Sequence, residues 1–72
     1  MATIVIEDRD RTDSKPLAKI VNQMTGTLHA KVEPGPYVPG WITLHVVAPR
    51  DRVEIACELW LSAHYENWRV EN

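Results

Sequence analysis

The chain predicts an α+β fold, a four-stranded antiparallel sheet with two helices on one face, in the order strand, helix, strand, strand, helix, strand. Three observations carry this. Apolar residues alternate with polar ones over residues 2–6, 27–33 and 41–47. Apolar residues recur at helical spacing over 17–24 and again within 49–64. Between the two middle strands lies PGPYVPG, residues 34–40, whose prolines and glycines make it a loop.

Each element follows in turn. In Ala2 to Ile6, Ile4 and Ile6 share one face, and Thr3 and Val5 the other. Residues 7–13 (EDRDRTD) form a charged loop. Asp13 or Ser14 can cap the first helix, and Pro16 sits in its first turn, where a missing N–H costs little. Leu17, Ile20, Val21 and Met24 supply its apolar stripe, and Gly26 is its expected stop. The middle strands then pair antiparallel, with Leu28 facing Val46, Ala30 facing Leu44 and Val32 facing Ile42. On the reverse face, that register sets His29 against His45, Lys31 against Thr43 and Glu33 against Trp41. The second helix covers 49–64, with Asp51 and Glu54 favourably placed near its start. Residues 67–71 return to alternation as a final strand, with Trp68 and Val70 on one face; the alternative is a three-stranded sheet whose last segment is helix or tail. The order is that of the ferredoxin-like split βαβ arrangement. Its first and third strands are expected in the centre of the sheet, running parallel to each other.

Length and charge narrow the function. At 72 residues the chain makes one domain, 1–72, with too little core to enclose a large cavity. A net charge of −2 excludes a strongly basic nucleic-acid binder. Cys57 stands alone, so no internal disulfide forms and a reducing compartment is expected. No leader peptide is legible. The longest nearly apolar run, Ile42 to Ala48, is far short of the about 20 residues that cross a membrane. The expectation is a soluble cytoplasmic protein with no membrane contact.

The motifs of catalysis are missing. There is no Gly-rich phosphate loop and no Gly-x-Ser-x-Gly elbow. Ser14 and Ser62 have no His and carboxylate at a recognisable spacing. Cys57 lies on the apolar arc of the second helix and reads as a small buried hydrophobe. Asp51, Glu54 and Glu58 read as a solvated stripe. His29 and His45 could begin a metal site, but a zinc site needs three or four ligands and no third is evident. The reading is therefore no enzyme, no cofactor and no metal.

Two surfaces remain. Arg9-Asp10-Arg11 follows the first strand, and Arg50-Asp51-Arg52 follows the third; each precedes a helix. With the central strands parallel, Arg9, Arg11, Arg50 and Arg52 would gather beside two helix N-termini as a phosphate-anion or nucleic-acid site. Asp8, Asp10, Asp13 and Asp51 are interleaved and offset that field. RNA-recognition domains share the topology, but the outward positions here are Thr3, Val5, Thr43 and His45, with Trp41 only at the strand's start, so their aromatic, basic signature is missing.

The second surface is apolar. The chain has three Trp, two Tyr and no Phe. On the second helix Val53, Cys57 and Trp60 define one stripe, while Ile55 and Leu59 point away from it. The proline-stiffened loop presents Tyr37 and Val38, with Trp41 just beyond. Rigid, presented aromatics make good anchors at low entropic cost. The favoured reading is a non-catalytic protein-binding module. It would be a small regulator or inhibitor that docks on a larger protein, self-associates, or both, through Tyr37, Val38, Trp41, Ile55 and Leu59. Compact chains of this kind are common among phage and mobile-element accessory proteins that act on host complexes. The alternative is nucleic-acid or phosphate-anion binding through the Arg cluster.

Overall fold

The computed structural model describes residues 1–9, 15–36 and 38–72. The elements are β1 (Ala2–Glu7), α1 (Lys15–Leu28), β2 (Val32–Pro34), β3 (Trp41–Val46), α2 (Arg50–Trp60) with a 3₁₀ turn at Leu61–Ala63, and β4 (Trp68–Glu71). The sheet order is β2-β3-β1-β4 and every pairing is antiparallel. This is the predicted α+β, ferredoxin-like βαββαβ layout. The last segment is a strand rather than a helix or tail.

The core follows from the alternation. Ile4, Ile6, Ile42, Leu44 and Val46 project from one sheet face and are completely buried. Both helices lie over that face: Ile20, Met24 and Leu28 from α1 join Val53, Ala56 and Cys57 from α2, with Leu61 from the 3₁₀ turn. Burying each large aliphatic side chain contributes about 1.5–3 kcal/mol. No aromatic ring belongs to this buried set among the described residues. Trp60, Tyr65 and Trp68 pack half-buried at its rim.

The first helix runs past its expected stop. It passes through Gly26 and ends at Leu28. His29 then adopts a left-handed φ of 51° while its N–H bonds Thr25 O at 2.9 Å. Leu28 fits two patterns at once, since it alternates with Ala30 and Val32 and also lies four residues beyond Met24. As a helical residue it is fully buried beside Met24. That burial, about 1.5–3 kcal/mol, exceeds the about 1 kcal/mol that a glycine costs inside a helix.

The hairpin register shifts as a result. Val32 pairs with Val46, Glu33 with His45 and Pro34 with Leu44. The expected pairs Leu28–Val46, Ala30–Leu44 and Val32–Ile42 are not formed. Even-numbered residues keep the core face, because the slip preserves parity. The His29–His45 pair is lost with the register: His29 follows the last residue of α1, and His45 instead neighbours Thr3, with Thr3 Oγ1 and His45 Nδ1 3.3 Å apart.

A second correction concerns strand direction. β1 and β3 are central, as expected, but antiparallel, with Glu7 opposite Trp41 at one end and Ala2 opposite Val46 at the other. The chain therefore leaves β1 and β3 at opposite ends of the sheet. The two helices start from those opposite ends.

Candidate functional site

That geometry dismantles the predicted Arg cluster. Arg9 lies beyond the Glu7 end of β1, while Arg50 and Arg52 lie beyond the Val46 end of β3. Arg11 is outside the described residues. Each described Arg also has a local partner. Arg9 Nε donates to Glu7 Oε1 at 2.9 Å. Arg50 Nε donates to Glu54 Oε1 at 3.0 Å, one helical turn on. Arg52 donates to the Leu28 carbonyl, capping one of the open carbonyls at the end of α1 and placing positive charge where the helix dipole favours it.

The residues chosen for a protein interface are placed differently. Val38 and Trp41 are 48% and 41% exposed. Trp41 N–H donates to Val38 O at 3.0 Å, so the two form a small closed turn. Gly40 holds that turn with φ 82°, a left-handed conformation that suits glycine. Its carbonyl accepts from Asp8 N–H at 2.9 Å, which ties the turn to the end of β1. Tyr37, the third expected anchor on this loop, is outside the described residues.

Trp41 faces the side of the sheet away from the helices, beside half-buried Val5 and Thr43. A shallow, open depression of ≈ 280 Å³ runs from it along the β1–β4 seam, lined by Val5, Glu7, Trp41, Asn67, Trp68 and Arg69 among others. The Glu7 carboxylate is fixed there. Arg9 donates to one oxygen and Asn67 Nδ2 to the other at 3.1 Å. The Arg9 hydrogen bond, above all, holds Glu7 below the usual carboxylate range. Sequence reading did not select Glu7 or Asn67, because only the β1–β4 register brings them to the same place.

Ile55 and Leu59 form the other patch. They sit one turn apart on the outer side of α2 and are 60% and 75% exposed. The inner side of the helix is committed to the core through Val53, Ala56 and Cys57, so these two side chains cannot join it. The two patches lie on different layers, one on the open sheet face and one on the helix layer.

The groups weighed for chemistry stay apart. Burial pushes the Cys57 thiol up to about 12, and the nearby charges of Glu54 and Glu58 add to the effect, so no thiolate forms at neutral pH. His64 packs its ring on Trp60, with centroids 4.3 Å apart. Among the described residues no three His, Cys, Asp or Glu side chains are gathered as metal ligands. Among the described residues no helix is long and apolar enough to cross a membrane. No family model matches the chain, and searches of curated proteins and of solved structures return no match either.

Proposed function

We propose that this chain is a non-catalytic protein-binding module that docks on a larger protein as a small regulator or inhibitor. The observation that carries this is the exposure of large apolar side chains at the predicted anchors Val38, Trp41, Ile55 and Leu59, while smaller Ala2 and Ala56 are buried. A chain that needed every apolar residue for its small core would not leave these outside. Tryptophan is among the residues that dominate binding energy at protein interfaces. Here Trp41 stands on a turn held by backbone hydrogen bonds on both sides, so little conformational entropy is lost when it is covered.

Capture of the partner by the tagged protein, washed at high salt, tests this reading. An apolar interface survives the wash, whereas a phosphate-driven contact weakens as salt rises. Wild type is expected to retain a stoichiometric protein that the double variant Val38→Ala/Trp41→Ala loses. Equal retention by both would contradict the assignment of this patch.

A further inference from the structure

The two edges of the sheet are built differently, and the difference can be read from the hydrogen-bond parity. Glu7 N–H donates to Asn67 O at 2.9 Å. In an antiparallel ladder such bonded pairs recur at every second residue. Arg69 and Glu71 therefore turn their backbone groups inward to Val5 and Thr3, their register partners. Trp68 and Val70 turn theirs outward, to the open edge of β4. On the opposite edge, Gly35 N–H bonds Thr43 O at 2.7 Å and Val47 N–H bonds Lys31 O at 3.0 Å. By the same parity the outward residues of that edge are Val32, Pro34 and Pro36. Proline has no N–H. The β2 edge is thus blocked to an incoming strand by two prolines, and the β4 edge is not.

We propose that the β4 edge pairs with β4 of a second copy of this chain, antiparallel about a two-fold axis at Val70, to form one continuous eight-stranded sheet. In that register Val70 faces the partner's Val70 as a bonded pair, as its outward N–H and C=O require. Trp68 faces the partner's Asn72, again with matching parity. Arg69 falls opposite the partner's Glu71, and Glu71 opposite the partner's Arg69. Charges on an edge strand usually guard it, but these alternate in sign and complement themselves. Registers centred on Arg69 or on Glu71 would set like charges face to face, and one centred on Trp68 would leave Arg69 and Glu71 opposite uncharged residues, so charge favours the Val70 axis. Within one chain Arg69 Nε already meets Glu71 Oε2 at 2.8 Å. The terminal guanidinium nitrogens can still reach a second carboxylate. This pairing uses neither Trp41 nor Ile55 and Leu59, so it stands or falls apart from the docking reading.

The test is sedimentation equilibrium of the purified chain up to about 1 mM, the concentration needed to populate a dimer of millimolar affinity. Wild type is expected to rise with concentration from the 8.2 kDa chain mass toward twice that value, with about half the chains paired where concentration equals the dissociation constant. Arg69 and Glu71 have side chains 62% and 50% exposed, so replacing them leaves the fold intact, as circular dichroism would verify. Glu71→Arg is expected to weaken the dimer about tenfold by creating two like-charge pairs. The swap Arg69→Glu/Glu71→Arg is expected to restore it. A monomer at every concentration overturns the proposal and leaves the edge to a foreign strand or to solvent. A dimer indifferent to Glu71→Arg, or one that the swap does not restore, overturns it equally.

Discussion

Leu44 and Val53 in the core and Trp41, Ile55 and Leu59 on the surface are all large and apolar, yet the fold treats them differently. The first two have no exposure at all, and the other three are 41%, 60% and 75% exposed. The interior is filled by Ile, Leu, Val and Met, whose branched and flexible shapes fit between one sheet and two helices. Among the described residues the aromatics sit at its rim or beyond it. Side chains of the first kind hold the structure together. Those of the second kind contribute little to folding, and we propose that they make contact with another molecule. Substitutions in the two regions should therefore separate stability from binding.

The largest effect is expected in the core. Leu44→Ala should cost about 2–5 kcal/mol, which is most or all of the stability of so small a domain. Urea unfolding would show the midpoint collapsing toward zero. The next largest belongs to the surface. Val38→Ala/Trp41→Ala should weaken partner binding by about 2 kcal/mol or more, roughly thirtyfold, with the fold retained. Titration calorimetry with the captured partner would read this directly.

The glycines give a smaller, signed contrast. Gly26 lies inside α1, and a Cβ there would meet no atom within 4 Å. Gly26→Ala should therefore raise stability by about 0.5–1 kcal/mol, since alanine is the better helix former. Gly40 holds φ 82°. Gly40→Ala should lower stability by about 1–2 kcal/mol through strain in the turn that presents Trp41. Thermal melts of the two variants should move in opposite directions.

Cys57 gives a pH signature of the core. Its folded value is raised to about 12, above the ordinary thiol range. The unfolded chain loses that proton first as pH rises, so it binds fewer protons than the native state above the ordinary range. The resulting stability is fully present at neutral pH and is lost as pH climbs toward about 12. Thiol reagents at pH 8 should label Cys57 only as fast as the domain opens. Fast labelling without denaturant would contradict its burial.

Much of this was legible in residue order, and the failures have physical causes. Alternation in β1 and β3 revealed which face each residue takes, and the burial of Ile4, Ile6, Ile42 and Leu44 agrees with it. The exposure of Ile55 and Leu59 follows from helical geometry alone. Leu28 was ambiguous because it completes either a strand face or a helix stripe, and only its packing beside Met24 decides. Strand direction leaves no trace in alternation, so the sequence did not show that Arg9 lies at the opposite end of the sheet from Arg50 and Arg52. Edge polarity was hidden for a related reason. Whether Pro34 and Pro36 face the ladder or the solvent depends on which backbone groups of β3 are already taken by β1, and alternation of side chains does not reveal that.

The most direct test of the central claim is a paired measurement on Ile55→Ala/Leu59→Ala, reading urea stability and partner retention on the same sample. Both side chains are largely exposed, so stability should stay within about 0.5 kcal/mol of wild type. Retention of the partner after a high-salt wash should fall. A fully stable variant that keeps its partner would show that this helix face is not used for docking. A variant that unfolds would show that these residues serve the fold after all.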